Sequence, residues 1–319
     1  MSHLFVTREW PGQAFDRLLE AGHTVTIWPE EEAPPQEVLI EEAARSEALI
    51  TTVEEPINRA VLEAGAGMLK IIAQAGAGYD NVDIDAAREL GIAVTNAPGV
   101  LAEATADLAF ALALAAGRRI VEADAYVRKG FWAGWHPSGF LGLDFNGATV
   151  GIVGMGEIGS AFARRCEGFG MQVLYTTRSP KPDAEARGYT PTDLDTLLST
   201  SDLVSLHCPL TEETQGLLNR RTLALMKSDA VLVNTARGGV IDTAALIEAL
   251  DAGQFLGVGL DVTDPEPLPA KHPLLTHRRV TVSPHIGSAN APTRAKLADL
   301  AVSNALAVLA GAEPLNRVG

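Results

Sequence analysis

One stretch limits what this chain can fold into more than any other: Ala148-Thr-Val-Gly-Ile-Val-Gly-Met-Gly-Glu-Ile-Gly159. Thr149 to Val153 is a short β-branched run with the composition of a buried parallel strand. Gly154, Gly156 and Gly159 follow at G-x-G-x-x-G spacing, and the next segment puts Ala161, Phe162 and Cys166 on one helical face. Each glycine has its own task in such a setting. Gly154 turns the chain tightly, Gly156 lets backbone approach a pyrophosphate, and Gly159 lets the helix pack close to the strand. The phosphates would rest on unpaired N–H groups of Met155, Gly156, Glu157, Ile158 and Gly159, at the positive end of the helix. Glycine-rich turns are common on their own. The order strand, glycines, helix and second strand (Gln172 to Thr176) is what turns this one into an expected dinucleotide site.

A length of 319 residues suggests two domains. The net charge of -15 argues against nucleic acid or anionic membrane as a partner. A dinucleotide is itself an anion, so its site must be locally basic or rich in N–H donors, and individual arginines become informative. Cys166 and Cys208 offer neither a disulfide framework nor metal-ligand spacing. We expect both to be reduced, half-buried packing residues of a cytoplasmic protein, and we expect no metal. The N-terminus lacks a basic region followed by an apolar core, so no signal peptide is expected. The most apolar segment, Leu108 to Gly117, is too short to span a bilayer.

Strand and helix patterns alternate through residues 1 to 97. Strands are expected at Leu4–Thr7, Val25–Trp28, Ala48–Thr51, Leu69–Ala73 and Ile92–Thr95, with helices at Gly12–Glu20, Gln36–Arg45, Asn58–Ala64 and Ile84–Leu90. Such alternation implies a parallel sheet covered on both faces, with ligands gathering beyond the carboxyl ends of the strands. The loop after the fourth strand, Gln74-Ala-Gly-Ala-Gly-Tyr-Asp80, exposes backbone N–H groups able to hold a carboxylate. An unliganded glycine turn fits the same residues. Beyond a break at Asn96–Gly99, Ala102 to Arg119 reads as a long buried helix, and Arg128 to Leu143 as a loop dense in aromatics and glycines. Trp132 and Trp135 suit either core anchors or an interface. The alternation then continues through strands ending near His207, Asn234, Val262 and Ser283, and closes on an amphipathic helix from Pro292 to Ala310.

In NAD-binding units a carboxylate at the end of the second strand takes the ribose hydroxyls. This chain has Tyr175-Thr-Thr-Arg-Ser-Pro180 there, with no Asp or Glu before Asp183. A 2′-phosphate therefore meets no repulsion. It would meet the donor fork of Arg178 and the hydroxyls of Thr177 and Ser179, which predicts preference for NADP(H), with NAD(H) possible.

Arg237, Glu266 and His285 stand in loops after predicted strands of the second half. Singly, each suits a structural or solvated role. Together they supply what reduction of a 2-oxo acid requires. Arg237 would clamp the substrate carboxylate and oxo group, and His285 would protonate the oxygen as hydride reaches the carbon. Glu266, hydrogen-bonded to His285, would favour imidazolium and hold its orientation.

With these residues in view the chain resembles the D-isomer-specific 2-hydroxyacid dehydrogenases over nearly all its length. The matching stretches, in order, are Gly76-Ala-Gly-Tyr-Asp-Asn-Val-Asp83, Gly151-Ile-Val-Gly-Met-Gly-Glu-Ile-Gly159, His207-Cys-Pro-Leu-Thr211, Val233-Asn-Thr-Ala-Arg-Gly-Gly239, Gly259-Leu-Asp-Val-Thr-Asp-Pro-Glu-Pro267 and Ser283-Pro-His-Ile-Gly-Ser288. The resemblance implies that Arg237, Glu266 and His285 are the catalytic set. It implies N–H groups from Ala77 and Gly78 to the substrate carboxylate, with Ser288 nearby, and Asp261 facing the nicotinamide amide. Thr105, His207 and Pro209 would line the cofactor, and Thr235, Ala236 and Gly287 would adjoin its nicotinamide end.

The resemblance further implies an α/β fold of two Rossmann-like, doubly wound parallel-sheet domains with an interdomain active-site cleft. The substrate domain, flavodoxin-like, would be 1–97 plus 288–319, and the dinucleotide domain 98–287. Members are typically homodimers built through a segment matching 100–145. Within the family, Tyr175-Thr-Thr-Arg-Ser-Pro180 and Gly130-Phe-Trp-Ala-Gly-Trp-His-Pro137 look like the glyoxylate and hydroxypyruvate reductase branch. There a tryptophan matching Trp135 reaches the neighbouring subunit's active site. The same scaffold serves 3-phosphoglycerate, phosphite and formate dehydrogenases, and a non-catalytic NAD(H)-sensing corepressor keeps the same loops. With the sequence stopping at Gly319, the regulatory domain that many 3-phosphoglycerate dehydrogenases carry is not expected.

Overall fold

The computed structural model describes residues 1–318. Contacts divide the chain into two units, Met1–Leu101 with the residues from Ser288 onward, and Ala102–Gly287. The first crossing falls four residues beyond Ala97, where the helix Ala102–Gly117 begins.

In the first unit, β1 (His3–Val6), β2 (Thr24–Ile27), β3 (Ala48–Thr51), β4 (Ile71–Gln74) and β5 (Ala93–Thr95) pair in parallel in the order β2-β1-β3-β4-β5. Every residue of β3 and β4 is buried, which is why each reads as three apolar residues in a row rather than an alternation, closed by a polar residue, Thr51 or Gln74. The helix Ala291–Leu309 lays Ala301, Val302 and Ala305 against Leu4, Val6, Ile50 and Ile71, so the chain ends in the unit where it began. A strand Arg317–Val318 then adds to β5 in antiparallel sense. The sheet is thus not wholly parallel, as the alternation implies it should be. Two residues are too few to carry a period.

The second unit is a seven-stranded sheet, parallel throughout: β6 (Thr149–Val153), β7 (Gln172–Thr176), β8 (Thr190–Pro191), β9 (Leu203–Leu206), β10 (Val231–Asn234), β11 (Gly257–Leu260) and β12 (Val280–Val282), in the order β8-β7-β6-β9-β10-β11-β12. Successive strand residues feed opposite faces. Val231 and Val233 join the cluster under the helices Ala102–Gly117 and Glu157–Gly168, while Leu232 joins Leu197, Leu223 and Leu246 on the other side. The strand order reverses between β6 and β9, and Gly154 and His207 are the first residues beyond those two strands. Ligands of doubly wound sheets bind at such a reversal.

Several sequence expectations are corrected. The helix expected over 102–119 stops at Gly117, where a Cβ would lie 2.7 Å from the Phe145 ring, and a second helix runs Ile120–Arg128. Arg119 between them sits at φ 54°, a left-handed turn that no composition signals at an arginine. The helix expected over 12–20 is reduced to Asp16–Glu20, because Gly12 takes φ 99°. Short helices at Pro182–Ala186 and Pro273–Thr276, and β8 itself, escape pattern reading for want of length. Cys166 and Cys208 are buried rather than half-buried, and burial pushes their thiols up to about 12 and about 11. Trp132 and Trp135 are not core anchors: they are 66% and 85% exposed.

Candidate active site

Beyond β6 the glycine turn is fixed by what a side chain would strike. Gly154 sits at φ 99°, and a Cβ there would lie 2.6 Å from the Cys208 nitrogen and 2.7 Å from the His207 carbonyl carbon. A Cβ on Gly159 would overlap the Gly154 carbonyl oxygen. The turn is therefore pressed onto the end of β9 and against its own helix. At Gly156, by contrast, a Cβ would meet nothing within 4 Å. The first backbone bond of the helix Glu157–Gly168 is Ser160 N–H to Gly156 at 2.9 Å. Among the described residues, the N–H groups of Met155 to Gly159 donate to no protein acceptor. Open space in front of five unpaired donors at a helix N-terminus fits the pyrophosphate of a dinucleotide.

Around this turn His207 Nε2 lies 2.9 Å from the Ser205 hydroxyl, within hydrogen-bond distance, while its Nδ1 is buried with no partner among the described residues. Burial pushes the imidazole down to about 3, so it is neutral, and its ring lies 5.1 Å from that of Phe162. Thr105 and Thr235 are buried, the latter with its hydroxyl unpaired. A Cβ on Gly287 would meet the Thr105 hydroxyl at 3.2 Å and Asp261 Oδ2 at 3.3 Å, so these three residues stand together. Pro209 is exposed and Ala236 half-buried. At the end of β7, Thr177, Arg178 and Ser179 are exposed, and the Arg178 guanidinium reaches no hydrogen-bond acceptor among the described residues. It is near enough to Glu213 to help lower that carboxyl, whose largest stabilisation comes from the Thr211 hydroxyl.

Three loops beyond β10, β11 and β12 carry the expected catalytic set. Arg237 follows β10 with its Nη1 on the Ala236 carbonyl at 2.8 Å, and its own carbonyl accepts from Asn234 Nδ2 at 2.8 Å. The glycine after it is obligatory, since a Cβ on Gly238 would overlap the Thr263 carbonyl. That close approach brings the Arg237 turn against the loop of Glu266. Glu266 accepts the Thr263 N–H at 3.0 Å through Oε2, and its Oε1 lies 2.6 Å from His285 Nδ1. Burial pushes the Glu266 carboxyl up. The His285 and Thr263 hydrogen bonds, with the charges of His285 and Arg237, outweigh burial and hold it below the ordinary carboxylate value. With Nδ1 committed to Glu266, His285 Nε2 has no protein partner among the described residues.

His285 occupies the left-handed region at φ 51°, a conformation that costs about 1 kcal/mol or more at a non-glycine residue. Asp261 holds it there. The Asp261 carbonyl accepts the His285 N–H at 2.9 Å. Its Oδ1 takes the Ser283 hydroxyl at 2.6 Å and the Ile286 N–H at 2.8 Å, and its Oδ2 takes the Gly287 N–H at 2.8 Å. Sequence reading assigns Asp261 only to the nicotinamide amide and misses this clamp. The signal available is a carboxylate in an otherwise apolar strand end, Gly259-Leu-Asp-Val262, where burial demands donors.

In the first unit, Ala77 and Gly78 are half-buried in the loop after β4, and Ser288 is half-buried with its carbonyl accepting the Asn290 N–H at 2.8 Å. Among the described residues no group of His, Cys, Asp and Glu could hold a metal, and no helix is long and apolar enough to cross a membrane.

Residues 110–287 match the family model described as the NAD binding domain of D-isomer specific 2-hydroxyacid dehydrogenases. The chain is 47% identical over 320 residues to a glyoxylate reductase of Thermococcus litoralis, covering 99% of this chain and 96% of that one. A crystal structure from Thermus thermophilus superposes with TM-score 0.93 at 51% identity, over 99% and 100% of the two chains. An NADPH-dependent glyoxylate/hydroxypyruvate reductase of Sinorhizobium meliloti, solved with NADP and malonate, superposes with TM-score 0.85 at 32% identity, over 100% and 97%. The chain belongs to the D-isomer-specific 2-hydroxyacid dehydrogenase family. It is accordingly an oxidoreductase that works with a nicotinamide cofactor, and its full-length relatives lie in the glyoxylate reductase branch.

Proposed function

We propose that this chain reduces glyoxylate to glycolate and hydroxypyruvate to D-glycerate, with NADPH preferred over NADH. The observation that carries the reading is the Glu266–His285 pair at 2.6 Å, set beside the Arg237 turn on loops that leave the carboxyl ends of one parallel sheet. Arg237 binds the 2-oxo acid through its carboxylate and oxo oxygens, a planar fork against planar acceptors. The reduced nicotinamide, when bound, supplies the hydride. His285 gives the proton on Nε2 to the substrate oxygen, which leaves a 2-hydroxy acid. Glu266 keeps Nδ1 protonated and the ring aimed, so that Nε2 is the nitrogen free to exchange a proton. Ala77 and Gly78 offer N–H groups to the carboxylate.

NADP preference rests on Thr177, Arg178 and Ser179, with no carboxylate on the strand end they follow. Asp261 would face the nicotinamide amide with the remaining lone pair of Oδ2. A homodimer is proposed from the apolar side chains exposed on 120–141, among them Val121 at 49%, Phe131 at 60%, Trp132 at 66%, Trp135 at 85% and Leu141 at 63%. In it Trp135 of one protomer would close the site of the other. A cytoplasmic location belongs to the same proposal and suits two free, buried thiols.

Steady-state kinetics on glyoxylate, hydroxypyruvate and pyruvate, each with NADPH and NADH, test the reading. Turnover of the first two with NADPH is expected, and His285→Ala should lower kcat about a thousandfold. A chain that binds nicotinamide nucleotide and turns over no 2-oxo acid is a sensor instead.

A further inference from the structure

The loop just assigned to the substrate carboxylate is held by the side-chain amides of Asn96 and Gln74, the latter braced by Asn81, together with the backbone N–H of Ala97, and we infer that Gln74, Asn81 and Asn96 are its positioning residues. The inference rests on the reading that the carboxylate sits on the N–H groups of Ala77 and Gly78. Three consecutive carbonyls of the loop are drawn into the unit. That of Gly76 accepts the Ala97 N–H at 2.8 Å, that of Ala77 accepts Asn96 Nδ2 at 2.8 Å, and that of Gly78 accepts Gln74 Nε2 at 3.3 Å. A trans peptide is planar, so the carbonyl of one residue and the N–H of the next point in opposite directions. Turning those carbonyls inward therefore turns the N–H groups of Ala77, Gly78 and Tyr79 outward. Among the described residues none of these three donors has a protein acceptor.

The amides that do the turning are themselves fixed. Gln74 ends β4, is 1% exposed, and takes the Thr51 hydroxyl on Oε1 at 2.6 Å. Its Nε2 reaches Asn81 Oδ1 at 2.9 Å as well as Gly78. Asn81 in turn spends both protons of Nδ2, on the Thr52 carbonyl at 2.9 Å and the Glu55 carbonyl at 2.7 Å. Each of these two amides makes three hydrogen bonds that a flip would disturb, so the donors face an anion before any anion arrives. Preorganised N–H groups are worth more to a carboxylate than groups that must first turn.

The test replaces a donor by an acceptor of the same shape. Asn96→Asp sets a carboxylate against the Ala77 carbonyl, and Gln74→Glu does the same at Gly78. Each should raise KM for glyoxylate roughly tenfold, with kcat within about threefold and KM for NADPH unchanged. The melting temperature of the free protein should stay nearly unchanged for half-buried Asn96→Asp and fall for Gln74→Glu, whose carboxylate would be buried against Asn81 Oδ1. Gly78→Pro, which deletes one of the N–H groups, reads the site itself. If Gly78→Pro raises KM while Asn96→Asp and Gln74→Glu leave it unaltered, the positioning role is overturned and the carboxylate site stands. If none of the three moves KM, the carboxylate lies elsewhere and both readings fall. Asn96 is only half-buried, so its variant decides the matter should Gln74→Glu not fold.

Discussion

Two glycine-containing loops of this chain leave backbone N–H groups without acceptors among the described residues, and they do so by different means. At Met155–Gly159 the donors are the unpaired start of a helix, and the turn is fixed by the space glycine leaves: Gly154 against the end of β9, Gly159 against the carbonyl of Gly154. At Gly76–Gly78 no helix begins, neither Gly76 nor Gly78 takes a positive φ, and side-chain amides hold the carbonyls of Ala77 and Gly78. The first device is steric and belongs to residues without side chains. The second is polar and belongs to residues several positions away. An anion site of the first kind can be read from glycine spacing set between a strand and a helix, while one of the second kind depends on which side chains the sheet brings beneath the loop.

The sharpest way to break the comparison is at the glycines themselves. Gly154→Ala should cost about 3 kcal/mol, because a Cβ at φ 99° would lie 2.6 Å from the Cys208 nitrogen. A thermal melt of the nucleotide-free protein reads that loss. Gly156→Ala puts its methyl into open space and should leave the same melt unchanged, yet weaken NADPH binding at least about thirtyfold by standing where the pyrophosphate approaches. A Gly156→Ala protein with wild-type NADPH affinity would show that the phosphates lie elsewhere.

The same contrast explains what is legible in the sequence. The strand Thr149–Val153, the glycines after it and the helix Arg59–Ala64 follow from local pattern to within a residue. The pairing of Glu266 with His285 comes from chemistry, since a histidine that must deliver a proton needs a carboxylate behind it. What stays hidden is long-range or conformational. Arg119 at φ 54° and the helix restart at Ile120 have no compositional mark. Gln74 and Asn81 are seven residues apart, and only the fold shows that their amides meet under Gly78. Resemblance assigns Asp261 one task, and the geometry adds a second, holding the strained turn at His285.

A middling effect is expected at the other end of the nucleotide site, where neither glycine nor buried amide takes part. Arg178 is exposed and without a protein acceptor among the described residues, so the hold on a 2′-phosphate proposed for it would be an ionic contact made in water. Arg178→Ala should lower the ratio of kcat/KM for NADPH to that for NADH roughly tenfold, chiefly through KM. Raising the salt concentration should shrink the wild-type ratio in the same direction. A ratio unaffected by the substitution would place the discrimination on Thr177 and Ser179.

The smallest predicted effect separates the two units by pH. Gln74, Asn81 and Asn96 do not titrate, whereas the pair at 2.6 Å that aims His285 contains a carboxylate held below its ordinary value of 4.5. A lowered folded value means that the carboxylate contributes fully above the unfolded value and that the contribution is lost as pH falls through the folded one. Glu266→Gln should therefore melt about 1–2 °C below the wild type at neutral pH, a gap that narrows as the pH is taken below about 4.5. Gln74→Met removes an amide and adds no titratable group, so its gap from the wild type should stay constant over the same range. Melts at a series of pH values on the three proteins decide it. A Glu266→Gln gap that does not change with pH would mean that Glu266 acts as a neutral hydrogen-bond acceptor for His285, and the contrast between a titrating hold and a non-titrating one would fail.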